Sequence, residues 1–272
     1  MAEALPVRCE LRDGIATLTL DNPPLNVVFR GLTLALGDWL QRLAADEAVR
    51  AVVVTGAGER AFCAGSDIAE FQPLLAPGGI VPEKLALQHQ VFAWLADFPK
   101  PTVAAVNGLA FGGGLEIAVC CDLIVADERA RFALPEIKLG VFPGSGGPVR
   151  VTRRIGPGRA TELMLLGEPV DAATAQAWGL VNRVVPAGQA LAAAQSWAAT
   201  LAQRSPLALS LCKQAIGLAL DESEADAIAR SLPLADQAFG SAGAREGVRA
   251  FLAKEPPHYP HGLAVTLKDP TS

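Results

Sequence analysis

The first third of the chain alternates short apolar runs with helical patterning in a βαβ manner. Arg8–Arg12 and Ile15–Leu20 read as two strands around Asp13-Gly14, so they can pair as a hairpin. Phe29–Ala44 places Leu32, Leu36, Leu40 and Leu43 near a 3.6-residue period, which predicts an amphipathic helix. Ala51–Thr55 is a short apolar run, the pattern of a buried parallel strand. Ala69–Pro82 is rich in proline and carries a glycine pair, and reads as an irregular, mobile loop. Lys84–Ala96 predicts a helix and Thr102–Val106 another buried strand.

Gly112-Gly113-Gly114 stands before Leu115, Glu116 and the apolar run Ile117–Cys121, which suggests a tight turn feeding a buried helix. Leu123–Ala126 and Val181–Val185 predict strands. Ala160–Leu166 and Ala172–Trp178 predict short helices, stopped by Gly167 and Gly179. From Leu191 onward the pattern is helical, with breaks expected at Pro206, Pro233 and Gly240–Gly243. A boundary near residue 200 divides a core, 1–199, from a helical region, 200–272. That region is too small and too apolar to stand alone, so it should pack on the core or on another subunit.

Composition narrows the function classes. Of the 272 residues, 51% are hydrophobic, enough for a sizeable core, and the net charge is -5. An acidic chain argues against nucleic acid or an anionic membrane surface as partner. The beginning of the chain lacks the basic and apolar regions of a secretory signal. No apolar run approaches the ~18 residues of a membrane span. The five cysteines are an odd count and suit reduced thiols in the cytoplasm. Cys63, Cys120 and Cys121 show no C-x-x-C spacing, and His89, His258 and His261 lie far from them, so no metal site is expected.

Three tracts could carry chemistry. The glycines of Gly112–Gly114 could present backbone N–H groups to an anionic oxygen, or could simply permit close helix–strand packing. Phe62–Asp67 follows a predicted parallel strand, where open α/β sheets bind ligands; Asp67 could equally cap a helix. Glu136 is flanked by Ile137, Leu139, Val141 and Phe142, and partial burial among them would raise its proton affinity. Glu116 precedes a run with no other charge before Asp122, so it is either solvent-facing or deliberately buried.

Taken together, Glu59–Asp67, Pro101–Gly108, Gly112–Asp122, Phe132–Gly147 and Glu246–Phe251 resemble the crotonase, or enoyl-CoA hydratase/isomerase, family across nearly the whole chain. The resemblance implies an α/β fold: a spiral of stacked ββα units with a helical C-terminal region that oligomerises into a homotrimer or a dimer of trimers. It implies an acyl-CoA thioester substrate and no separate cofactor or metal. By motif position, the N–H groups of Ser66 and Gly113 would form an oxyanion hole. Glu116 would hold and deprotonate water, and Glu136 would be the acid at C2. Gly144 would lend that water a further N–H. Pro24, Leu25 and Val27 would flank the pantetheine, and Ala64, Asp67 and Ile68 the adenine side. Lys254 would meet the 3′-phosphate, of its own or a neighbouring subunit's ligand, or is an ordinary solvated lysine.

Keeping both glutamates favours a hydro-lyase. An isomerase using Glu136 alone is the alternative, followed by a non-catalytic binding protein. A nucleotide-binding oxidoreductase would want G-x-G-x-x-G, whereas these glycines are contiguous. Pro148-Val149, the thinned basic cluster Lys254–Pro257, and the Asn22–Val28 and Ala69–Pro82 tracts depart from the commonest family pattern, which leaves the acyl group open.

Overall fold

The computed structural model describes residues 5–259. His261 and the end of the predicted helical region lie outside them. Among the described residues, β1 (Val7–Arg12) and β2 (Ile15–Leu20) pair antiparallel with Arg12 opposite Ile15. The two-residue turn between them has positive φ at both Asp13 and Gly14, as the twist of a tight hairpin requires. β2 then pairs in parallel with β3 (Ala51–Gly56), followed across the sheet by β5 (Thr102–Val106), β7 (Leu123–Asp127) and β10 (Arg183–Val185).

β3 and β5 are buried at every position because both faces of this sheet are covered. Val52, Val54, Ala104 and Val106 face a cluster that includes Leu32, Leu36 and Leu40 of α1 (Arg30–Ala45). The alternate residues Ala51, Val53, Val103 and Ala105 pack on Ala190, Ala194 and Ala198 of α6 (Ala190–Ala202). Small alanines at that spacing let the helix lie close to the strands.

A second sheet runs beside the first: β4 (Ala61–Cys63), β6 (Leu109–Phe111), β8 (Arg131–Ala133) and β9 (Val170–Asp171). β4, β6 and β8 each follow a strand of the large sheet within a few residues, and a helix comes next. These helices are α2 (Ala86–Ala96), α3 (Gly113–Ala118) and α4 (Gly147–Leu166). The repeat is therefore ββα, stacked three times, as the family resemblance implied.

Several sequence expectations change. Ala69–Pro82 is partly ordered into 3₁₀ turns at Ile68–Glu70 and Gln72–Leu74, and a π-helical turn at Val81–Leu85 leads into α2. α4 starts at Gly147, well before the expected Ala160. Gly156, at φ 76 and ψ 164, kinks it, and Pro157 restarts it, so a pair that reads as a stop acts as a joint. Pro233 does not break α8 (Glu224–Phe239). Pro233 and Ala229, whose carbonyl loses its donor, are both exposed, so water can replace the missing bond. α7 (Pro206–Asp221) and α9 (Ala242–Ala253) complete the C-terminal helices. No helix among the described residues is long and apolar enough to cross a membrane.

Candidate active site

The site forms where the strands of the second sheet run out. After β4 the chain turns through Ala64, Gly65, Ser66 and Asp67, and Asn22–Val28 is strapped against that turn. Ala64 N–H donates to the Leu25 carbonyl at 3.0 Å, Val28 N–H to Gly65 at 2.7 Å and Asp67 N–H to Val28 at 2.8 Å. Buried Asn26 ties the strap down by donating to the carbonyls of Ala57 at 3.0 Å and Ala61 at 2.9 Å. Pro24, Leu25 and Val27 thus run alongside Ala64, Asp67 and Ile68, bringing together residues assigned separately to the coenzyme. The Asp67 side chain accepts from Ala69 N–H, the capping role open to it from sequence.

After β6, Gly112 takes φ 49 and ψ -124, a conformation closed to residues with a side chain. A Cβ there would also sit 2.8 Å from Glu136 Oε1. The turn aims the next residue, Gly113, at the first motif: a Cβ on Gly113 would lie 3.3 Å from Ser66 Oγ and 3.8 Å from Ser66 N. Gly113 opens α3, so its N–H has no partner within the helix. Gly114 answers to packing instead, since a Cβ would fall 2.0 Å from the Cys63 carbonyl oxygen. The packing reading of the glycine tract therefore holds at Gly114, while Gly113 stands beside Ser66.

Glu116 lies on α3 and is 3% exposed. Its Oε1 accepts from Ser145 N–H and Gly147 N–H, both at 2.8 Å. Burial pushes its proton affinity up, while those two bonds and the Arg150 guanidinium pull it down. Glu136 enters on the 3₁₀ turn Pro135–Leu139. Its Oε2 is buried and finds no hydrogen-bond partner among the described residues. Desolvation, reinforced by the charge of Glu116, pushes its pKa up to about 7.

The neighbours expected to bury Glu136 do not do so. Ile137, Leu139, Val141 and Phe142 are 40%, 57%, 44% and 72% exposed. Ile137 and Leu139 lie on the turn and Val141 and Phe142 beyond it, whereas Glu136 Oε1 lies against Gly112. Gly144 lies in the same turn as the donors to Glu116, where a Cβ would meet the Leu85 side chain at 3.0 Å. Lys254 caps α9 in a left-handed conformation and is exposed; no contact joins it to the other site residues among those described. Sequence reasoning missed Ser145, Gly147, Arg150 and Gln88. The Pro143–Gly147 turn was visible, but the direction of its N–H groups depends on how α4 docks against α3.

The chain's relatives bear on this geometry. The profile of the enoyl-CoA hydratase/isomerase family matches residues 10–262. This chain belongs to that family. It is similar to a probable enoyl-CoA hydratase of Mycobacterium bovis, 37% identical over 95% of this chain and 98% of that protein. It is also similar to the 2,3-dehydroadipyl-CoA hydratase of Escherichia coli, 37% identical over 90% and 94% of the two chains. Among solved structures, DspI of Pseudomonas aeruginosa superposes with a TM-score of 0.90 at 33% identity, covering 96% of this chain and 98% of that one. The crotonase fold expected from the motifs is therefore the fold of this protein, and an activity of the hydratase/isomerase kind comes with the family.

Proposed function

We propose that the protein is a hydro-lyase that adds water reversibly across the 2,3 double bond of an enoyl-CoA thioester. The supporting observation is the placing of buried Glu116 and partly buried Glu136, two carboxylates of unlike surroundings, near the helix-opening N–H of Gly113 and the neighbouring Ser66. Addition to the conjugated double bond builds negative charge on the thioester oxygen. The N–H groups of Ser66 and Gly113 would receive it, and one such fixed donor is worth roughly 3–4 kcal/mol. The Glu116 carboxylate, held by Oε1, orients water and takes its proton as the oxygen bonds to C3. Glu136, favoured in its protonated form, gives its proton to C2. Gly144 N–H is positioned on the turn that borders the water.

In this reading Pro24, Leu25, Val27, Ala64, Asp67 and Ile68 frame coenzyme A, which belongs to the substrate. Lys254 serves the 3′-phosphate, from a neighbouring subunit. The chain assembles as a homotrimer or a dimer of trimers. Exposed apolar side chains on the C-terminal helices, among them Ile216, Phe239, Phe251 and Leu252, support that assembly. Cys9, Cys63, Cys120, Cys121 and Cys212 are free thiols, which suits the cytoplasm.

A panel of linear, branched and cyclic enoyl-CoA thioesters, followed by loss of the conjugated absorbance, tests the activity and finds the acyl group. On the best of them Glu136→Gln should lower turnover by orders of magnitude while thioester binding survives. Near-normal turnover in that variant would sink the mechanism.

A further inference from the structure

Glu116 is held by a turn, and that turn is itself held by side chains. Ser145 Oγ donates to Gln88 Oε1 at 2.8 Å, and Arg150 Nη1 donates to the Ser145 carbonyl at 3.1 Å. Gln88 is 3% exposed and Ser145 2%. The other buried residues on α2 are Val91, Phe92 and Leu95, so Gln88 occupies a core-facing position on an apolar stripe. A buried amide there costs free energy unless bonded, and a methionine would fill similar space without that requirement. The partner Gln88 has found is the residue whose N–H meets the catalytic carboxylate. A hydroxyl committed to Oε1 fixes the Ser145 rotamer, and with it the peptide that points at Glu116.

We propose that Gln88 is a positioning residue for hydration, acting through Ser145 to keep the two N–H donors of the Ser145–Gly147 turn aimed at Glu116 Oε1. This rests on the hydratase reading of Glu116. The turn is gripped from both sides, by α2 through Gln88 and by α4 through Arg150. Loosening the α2 grip lets the donors drift and leaves Glu116 with burial but weaker compensation. Its charged form then becomes harder to hold. The charged and titratable groups facing Glu116 are Arg150 from α4, Glu136 from the 3₁₀ turn and Cys120 on its own chain segment. Arg154 and Asp97, from α4 and the end of α2, act on Cys120 beside it. None of these is altered by changing Gln88 or Ser145 to a neutral residue.

The test uses the full chain with ¹³C-labelled glutamate carboxyls, the Glu116 signal being assigned by its loss in Glu116→Gln. In Gln88→Met the Glu116 titration should move upward by about one pH unit, the direction a lost hydrogen bond gives. kcat should fall roughly ten- to hundredfold, as expected for a misaligned group, with KM changed less than about twofold. Ser145→Ala removes only a hydroxyl and should reproduce both effects. The double variant should be no worse than either single one, since both break the same link. A Gln88→Met protein that loses thermal stability but leaves the Glu116 titration and kcat in place would show a core filler and overturn the proposal. If Gln88→Met does not fold, Ser145→Ala decides on the same readouts. Wild-type protein that consumes no enoyl-CoA, yet shows the shifted Glu116 titration in the variants, would uphold the positioning role and remove the hydratase reading.

Discussion

Glu116 and Glu136 are both pushed toward their protonated forms by burial, yet their surroundings differ. Glu116 has two N–H donors and Arg150 to support a charge, while Glu136 has a buried oxygen with no hydrogen-bond partner among the described residues. The proton of a singly protonated pair therefore rests on Glu136, and the pair titrates as a unit. In the proposed hydration that proton would go to C2 while Glu116 would gain one from water, so the pair would end with the same number of protons. Both directions thus start from the singly protonated pair. The pH profiles of kcat/KM for hydration and dehydration should superimpose, because the overall equilibrium takes up no proton. Above the pKa of about 7 of Glu136 the pair loses its proton, and activity should fall about tenfold per pH unit. On the acid side Glu116 becomes protonated, at a pH that its burial raises, and this closes the bell from below. Steady-state assays across pH read this directly; activity that does not fall above about pH 8 would overturn the placing of the proton on Glu136.

α3 is short, and its placing depends on close backbone contact. Gly114→Ala would put a methyl 2.0 Å from the Cys63 carbonyl oxygen, backbone that cannot swing aside. Overpacking of this kind should destabilise the fold by about 3 kcal/mol or more, read by denaturant unfolding. Gly113→Ala meets its nearest atom at 3.3 Å, the Ser66 hydroxyl, which can move, so it should fold and bear instead on the site proposed for the thioester oxygen. The long elements were legible in sequence. The hairpin, α1, β3, β5 and β7 show themselves by period, run length and turn residues. β4, β6 and β8 span three residues each, too few for a period to show, and they exist because each lies against its neighbour in the second sheet. The first half of α4 was hidden by Gly156-Pro157, whose local preference the docking of Val151 and Ile155 in the core overrides.

At the scale of the molecule, large apolar side chains stand exposed on the C-terminal helices and beyond Glu136, as well as at Leu75, Leu165 and Leu166. Phe239 and Phe251 are each 82% exposed and Leu252 is 75% exposed, a concentration that water does not favour. If copies of this chain cover them, each buried side chain contributes roughly 1.5–3 kcal/mol to assembly. Phe251→Asp combined with Leu252→Asp should then convert a trimer or hexamer to smaller species, with the mass read by analytical ultracentrifugation. A wild-type monomer at micromolar concentration would remove the assembly from the proposal. The sequence by itself determined the large elements and the family, and singled out the two carboxylates as candidates, because periodicity, glycine turns and motif spacing are local properties of the chain. It could offer both meanings of the Gly112–Gly114 tract but could not divide them. Only the tertiary structure decided that Gly114 packs while Gly113 faces Ser66, that Ser145 and Gly147 hold Glu116, and that a glutamine in an apolar stripe lies behind them. Those depend on which way a peptide N–H points, and that direction is set by how distant helices dock.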